Sequence, residues 1–493
     1  MQDLKARTIR GGAARICALA ASSLIRVASM MILARLLEPR DFGLIGMATA
    51  FTGVLFLFRD FGLSTATVQR ATVTDEQTST LFWINFLLGA ILTVIVVLFA
   101  PLVATFYHEP RLLWVTRLVA TGFLINGAGV QHSALLQREM RFTALAVIDI
   151  LSLIASTAIA IGAALAGYGY WALVAMTVSL PLTGTIGLWL ATSWVPGIPH
   201  RQIGIRRIVR FGSTVTVTSL VLYLAFNLDK VLLGRFWGSE VIGIYGRAFQ
   251  LIRIPTDSLN TTVGEVAFSA LSRVQGDPGR LRAYFLRGYS LVLALTLPIT
   301  VACGLFADDI VAVLLGPKWK GAAQIFRLLA PTILVFAISN PLGWLLTSLG
   351  MVGRGLKIAL VLAPLMIAGY VLGLPAGARG VALAYSATML LWIVPIIAWA
   401  VRDTGISFRD IVLVVSRPLT SITVAAGIAF VSRLFYGHLL SVLPRLVLEN
   451  AVLLCIYFAF LLFVAGQKAL FEDLIRGWRG TSAAEPKSAV VSV

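Results

Sequence analysis

The sequence predicts an all-α integral membrane protein with about 14 transmembrane helices. Of its 493 residues, 58% are hydrophobic and only 13% are charged, whereas an ordinary soluble domain is about half apolar and a quarter charged. The apolar residues fall into fourteen segments, each close to the ~20 residues that a helix needs to cross a bilayer. A soluble enzyme is excluded, because so apolar a chain would expose large apolar patches to water.

The connections between these segments are short. The segments are roughly 13–33, 42–63, 81–103, 112–133, 143–166, 169–192, 209–228, 241–263, 286–307, 325–348, 356–374, 379–401, 411–431 and 445–466. The longest connection, 264–285, has no apolar core, so no extramembrane domain is expected. Residues 471–493 are expected to form a cytoplasmic tail that is disordered at its end, because they are mostly small and polar.

The positive charge sets the expected orientation in the membrane. The chain carries 40 Lys and Arg against 22 Asp and Glu, a net charge of +18. Lys and Arg are more than twice as frequent at one set of segment ends as at the other. The positive-inside rule therefore places both termini in the cytoplasm, which agrees with an even number of spans. This explanation of the charge leaves no reason to expect a nucleic-acid partner.

An internal repeat indicates two lobes. Ile32–Ala48 and Leu232–Ala248 align at an offset of 200, and these positions are identical: Leu33/Leu233, Arg35/Arg235, Gly43/Gly243, Gly46/Gly246 and Ala48/Ala248. Because six spans separate the copies, both start from the same side, so the lobes should be related by a pseudo-two-fold axis along the membrane normal. We expect an N-lobe at 1–200, a C-lobe at 201–402 and two additional helices at 403–470.

Polar side chains inside the spans are the candidate site residues, because a charge at the centre of a membrane helix costs at least ~2.5–3.5 kcal/mol. The candidate cavity cations are Arg26, Arg253, Arg117, Arg327 and Arg247. The planar, multi-donor guanidinium suits a phosphate. The alternatives are snorkelling to the interface or a structural ion pair.

Other polar residues share helical faces with these cations or lie within the same spans. Candidate cavity-lining residues are Ser22, Ser29, Gln250, Tyr223 and Asn227. Candidates for ion coupling or for pairing are Asp257, Asp149 and Asp60. The alternative for the hydroxyl groups is hydrogen bonding within the helix or to a neighbouring helix. Asp257 lies four residues after Arg253 and could pair with it.

Motifs for soluble chemistry are missing from the sequence. It contains no phosphate-binding loop and no H-E-x-x-H motif, and its four histidines are scattered. We therefore expect no metal, no cofactor and no catalytic set.

Several sequence segments resemble those of a known transporter family. They are Arg35–Ala48, Phe58–Arg70, Leu136–Phe142, Asn227–Phe236 and Gly243–Leu251. In these sequence segments the chain is similar to the polysaccharide transporter (Wzx-like, O-antigen or exopolysaccharide flippase) branch of the MOP exporter superfamily. The resemblance covers most of residues 1–400.

The resemblance implies two six-helix lobes plus two helices, in the bacterial inner membrane. It also implies a flippase that moves undecaprenyl-pyrophosphate-linked oligosaccharides through a cationic cavity by alternating access, in a pathway with a polymerase and glycosyltransferases. Two alternatives stay open: an ion-coupled drug or cation exporter of a related branch, and a membrane polysaccharide polymerase.

Overall fold

The structure, a computed structural model, describes residues 21–58, 67, 74–199, 205–436, 440–468 and 471–472. The helices, numbered in chain order, are α1 (21–36), α2 (Pro39–Phe56), α3 (Asp75–Tyr107), α4 (Leu112–Arg138), α5 (Phe142–Leu165), α6 (Tyr170–Thr192), α7 (Ile205–Arg273), α8 (Pro278–Leu305), α9 (Ala307–Leu314), α10 (Lys320–Leu329), α11 (Pro331–Ser348), α12 (Val352–Gly373), α13 (Gly377–Ala400), α14 (Phe408–Tyr436) and α15 (Val442–Ala459). A π-helical turn, Phe460–Val464, extends α15. No strand occurs among these residues.

The apolar character of the helices identifies a membrane protein. Over the described part of the chain, nine helical stretches are long and apolar enough to cross a bilayer, and the longest, Gly353–Ala400, contains two of the expected spans. The chain is therefore an all-helical, multi-pass integral membrane protein, as predicted. The count of fourteen spans and the division into two six-helix lobes stay predictions.

The prediction of a long connecting loop at 264–285 is wrong. α7 continues to Arg273 and α8 begins at Pro278, so only four residues join the two helices. The Asp277 side chain accepts hydrogen bonds from the backbone N–H groups of Gly279 and Arg280, and Pro278 occupies the first turn, where a missing N–H is harmless. The segment is polar but helical, because low hydropathy excludes a membrane span and does not exclude a helix.

α7 contains the break between two of the expected spans. Its only non-helical backbone lies at Gly238, where φ is 84° and ψ is −177°. Glycine adopts this positive φ without steric cost, so the chain can change direction there and resume a helix at Ser239.

The chain divides into two compact units. The first consists of Met1–Ile254, Val311–Leu329 and Leu356–Met389. Its core includes Leu44, Met47, Tyr107 and Leu112. The same core also contains Val174 of α6 and Ile242 of α7, so helices distant in sequence share one apolar interior.

The second unit consists of Pro255–Ile310, Ala330–Gly355 and Leu390–Val493. An ionic cluster joins its last two helices to α9. Asp309 is 3% exposed and accepts from Arg433 Nη2 at 3.0 Å and Arg445 Nε at 3.1 Å. Arg433 Nε also lies 3.4 Å from the buried Glu449 carboxylate. Because each buried charge has an opposite charge beside it, the cluster avoids the cost of an isolated buried ion.

Two glycines of the internal repeat lie at a helix crossing in the first unit. A Cβ at Gly43 would lie 1.7 Å from the carbonyl oxygen of Ser239, and a Cβ at Gly243 would lie 1.9 Å from that of Pro39. The contacts are reciprocal, since residue 39 corresponds to residue 239 at the offset of 200. α2 and α7 therefore meet backbone to backbone, which only glycine permits.

We expect Gly243→Ala to lower the free energy of unfolding by about 1–3 kcal/mol, the usual cost of overpacking. Gly246→Ala is the matched control, because a Cβ there meets no described atom within 4 Å. Thermal unfolding of the purified protein in detergent measures both. Equal midpoints for the two variants would contradict the crossing.

Candidate substrate site

An open pocket of about 500 Å³ lies in the first unit among α2, α4, α6 and the first part of α7. Its polar lining consists of uncharged side chains: Thr49, Thr52, Asn126, Thr177 and Tyr223. The Phe56 and Phe123 rings also line it, with their centroids 6.2 Å apart. No described lining residue is charged. Its volume falls in the usual range of small-ligand sites, about 300–1,000 Å³.

Tyr223, an expected lining residue, forms part of the pocket wall. Its hydroxyl group donates toward the backbone carbonyls of Thr49 at 3.3 Å and Ala50 at 3.4 Å. A Cβ at Gly53 would lie 1.9 Å from this hydroxyl oxygen. Gly53 therefore allows the tyrosine to lie against α2.

One turn along α7, polar groups are paired with each other. Asn227 donates to the Tyr223 carbonyl at 3.0 Å, and its side-chain oxygen accepts from the Lys230 ammonium at 2.7 Å. Asp229 is fully buried and accepts from Tyr245 Oη at 2.6 Å and from the backbone N–H of Lys230 at 2.8 Å. The Asn227 side chain therefore links the backbone of Tyr223 to the ammonium group of Lys230.

Aromatic rings surround this polar group. The Lys230 ammonium lies 4.9 Å from the centroid of the Phe249 ring, which is a cation–π distance. Phe249 contacts Tyr245 and Tyr385, with centroids 6.0 Å and 5.8 Å apart. Tyr385 stacks on Tyr370. The rings exclude water, which strengthens the hydrogen bonds to Asp229.

The expected cavity cations lie in different surroundings. The Arg247 guanidinium lies 4.0 Å from the centroid of Phe42 and donates to the Gln250 side chain. The Arg117 guanidinium lies 5.0 Å from Trp114. The remaining cations have exposed side chains: Arg26, Arg253 and Arg327. None of these five arginines lines the 500 Å³ pocket.

The other expected residues divide in a similar way. Ser29 is buried, donates to the Ile25 carbonyl at 2.7 Å and lies 2.8 Å from the Thr157 hydroxyl, which favours a helix-to-helix contact. Ser22 is half-buried, and Asp149 and Asp257 are exposed. Asp60 lies outside the described residues.

Comparison with known proteins identifies the family. The profile of the family described as "Polysaccharide biosynthesis protein" matches residues 32–324, which is more than half of the chain. The chain belongs to this family. The resemblance noted in the sequence is therefore confirmed.

Named relatives cover most of this family member. The lipopolysaccharide biosynthesis protein WzxC of Escherichia coli (strain K12) is 27% identical over 78% of each chain. The teichuronic acid biosynthesis protein TuaB of Bacillus subtilis is 29% identical over 59% of this chain and 61% of its own. The succinoglycan biosynthesis transport protein ExoT of Rhizobium meliloti is 24% identical over 67% of this chain and 66% of its own.

Solved structures share the fold of this family member. The lipid II flippase MurJ in an inward closed conformation superposes with a TM-score of 0.74, at 12% identity, over 93% of this chain and 99% of MurJ. An inward-facing MATE multidrug transporter of the MOP superfamily superposes with a TM-score of 0.61, at 14% identity, over 78% of this chain and 94% of its own. At these identities the likeness concerns the fold alone.

Several residues of the site in this polysaccharide biosynthesis protein were not anticipated from the sequence. Asp229 follows Asn227 by two residues, inside a segment that resembles the family, and its position beside Lys230 in an otherwise apolar stretch was a signal that could have been used. The threonines of the pocket carry no comparable signal, because isolated threonines are common in membrane helices and usually bond their own backbone.

We expect Tyr245→Phe to lower the free energy of unfolding by about 1.5–3 kcal/mol, because it removes a hydrogen bond to a buried carboxylate. Tyr385→Phe is the matched control, since its buried hydroxyl has no hydrogen-bond partner among the described residues. Thermal unfolding in detergent compares the two. A larger loss for Tyr385→Phe would contradict the assigned role of Tyr245.

Proposed function

We propose that this chain is a flippase that moves lipid-linked oligosaccharide repeat units across the bacterial inner membrane, for lipopolysaccharide or exopolysaccharide synthesis. The observation that carries the proposal is the similarity to a lipopolysaccharide biosynthesis protein over 78% of the chain. One further relative is named as a transport protein, and one of the solved structures that share the fold is a lipid II flippase. The chain is accordingly a transporter and not an enzyme.

The substrate we propose is an undecaprenyl-pyrophosphate-linked glycan. Its pyrophosphate would be held by intramembrane arginines, with Arg26 and Arg253 the first candidates and Arg117, Arg327 and Arg247 the next. Arg26 and Arg253 come first because each lies on a polar face of its expected span, and their side chains, like that of Arg327, are exposed and accessible to a phosphate. Arg247 is partly committed to Phe42 and Gln250.

The transport cycle we propose is alternating access between an N-lobe (1–200) and a C-lobe (201–402). The reciprocal contacts of Gly43 and Gly243 support the repeat on which these lobes rest. Both termini would lie in the cytoplasm, and Asp149 and Asp257 would be candidates for ion coupling. The polymerase and glycosyltransferases of the same pathway would be the functional partners.

An exporter of drugs or cations is the second candidate, favoured by the shared fold with the MATE transporter. A cation site in a membrane protein is expected to contain acidic side chains, because they offset the lost hydration of the cation. The described lining of the 500 Å³ pocket contains none.

Transport in proteoliposomes tests the proposed function. A fluorescent undecaprenyl-pyrophosphate oligosaccharide is placed in both leaflets, and a membrane-impermeant lectin reports how much becomes accessible from outside. We expect near-complete accessibility with the protein and about half without it. Accessibility equal to that of protein-free liposomes would overturn the proposal.

We expect the double variant Arg26→Ala/Arg253→Ala to slow this transport about 10-fold or more, because each change removes charge-assisted hydrogen bonds to the pyrophosphate. Arg111→Ala is the control, since Arg111 is exposed and lies 3.7 Å from Glu109 on the protein surface. Equal rates for the double variant and wild type, at equal amounts of protein, would remove these arginines from the site.

A further inference from the structure

The 500 Å³ pocket of the first unit combines three properties that together define its ligand. Its described lining is uncharged, it contains two phenylalanine rings, and its polar groups come from four helices. Asn126 lies near the middle of α4 and Thr177 near the middle of α6. Polar groups within such apolar helices lose hydrogen bonds to water, so a polar occupant would compensate them.

The hydrogen bonds inside the pocket leave mainly acceptors for that occupant. The Thr49 hydroxyl donates to the Ile45 carbonyl at 2.7 Å, and the Thr177 hydroxyl donates to the Leu173 carbonyl at 2.8 Å. One N–H of the Asn126 amide donates to the Gly122 carbonyl at 2.7 Å. With these donors used, the threonine oxygens and the amide oxygen remain available as acceptors, and the second N–H of the Asn126 amide remains as a donor.

A surface of acceptors favours a ligand that donates. Sugar hydroxyl groups donate hydrogen bonds, and the C–H faces of a sugar ring are apolar enough to lie against Phe56 or Phe123. A carboxylate or a phosphate only accepts, and it would enter a site with no cation in its described lining. The described lining therefore offers an acidic group no opposite charge of its own.

We propose that this pocket is a subsite for a neutral sugar of the transported glycan, separate from the arginines that hold the phosphates. The inference rests on the proposed function and specifies which part of the substrate the first unit recognises. Thr49, Asn126, Thr177 and Tyr223 are its specificity-determining residues. Glycans with a neutral sugar at the matching position would be transported, and those with a uronic acid there would be rejected.

Filling the pocket tests the subsite. A Cβ at Gly122 has a single neighbour, the ring of Pro181 at 4.0 Å, so Gly122→Leu places its side chain beside or in the pocket. Gly162→Leu is the matched control, because Gly162 lies on α5 with no described atom within 4 Å of its Cβ. Folding of both variants is checked by thermal unfolding, and binding of a free neutral oligosaccharide is measured by titration calorimetry.

We expect Gly122→Leu to weaken binding of the neutral oligosaccharide about 10-fold or more and Gly162→Leu to leave it within about 2-fold of wild type. Thr177→Val should weaken it about 2- to 10-fold through loss of one acceptor. Thr105→Val is the control for that change, since its hydroxyl, like that of Thr177, donates to carbonyls of its own helix and Thr105 does not line the pocket.

The outcomes separate the subsite from the proposed function. Wild-type protein that moves the lipid-linked glycan, with neutral-sugar binding unchanged by Gly122→Leu, would overturn the subsite alone. Gly122-dependent binding without transport in proteoliposomes would overturn the flippase and keep the subsite. Tighter binding of the matched uronic-acid oligosaccharide, or of tetraphenylphosphonium as an organic cation, would also overturn the neutral-sugar assignment.

Discussion

The close approach of α2 and α7 is the constraint on which the first unit depends. Gly43 and Gly243 allow two backbones to touch, and any side chain at either position would separate the helices. The part of α7 before the break at Gly238 meets α2 again, at Gly53 and Tyr223. α2 is therefore in close contact with α7 on both sides of the break, and these two contacts hold it where Thr49 lines the pocket.

Polar chemistry inside the apolar helices follows a consistent pattern. In the described hydrogen bonds, buried charges are paired, as Asp309 is with Arg433, while Asp229 is held by a tyrosine and a backbone N–H. In the pocket, Thr49, Thr177 and Asn126 donate to carbonyls of their own helices, and Tyr223 donates to carbonyls of α2, so their oxygens remain free to accept. This division follows from the cost of uncompensated groups in a membrane, and it makes the pocket selective for hydroxyl-rich, uncharged ligands.

Prediction succeeded where the signal is local or repeated. The membrane class follows from composition, and the family follows from short sequence segments such as Asn227–Phe236. The repeat singles out Gly43 and Gly243, and their contact at the helix crossing explains why both copies have glycine there. Prediction failed at 264–285, where the polar composition was interpreted as a loop. In the structure α7 ends at Arg273 and α8 begins at Pro278, so most of this segment is helical.

The sequence by itself determined that this is a helical membrane protein of a polysaccharide transporter family, because hydrophobic content and apolar segments of membrane-spanning length are properties of the chain alone. The sequence also identified the arginines within the expected spans as candidate site residues, because a charge inside the membrane costs free energy. Only the tertiary structure decided that Thr49, Asn126 and Thr177 share one pocket and that Asp229 accepts from Tyr245. The pocket residues are far apart in the chain and meet because α2, α4, α6 and α7 pack closely. Asp229 and Tyr245 meet because α7 breaks at Gly238 between them, since 16 residues of straight helix would separate them by about 24 Å.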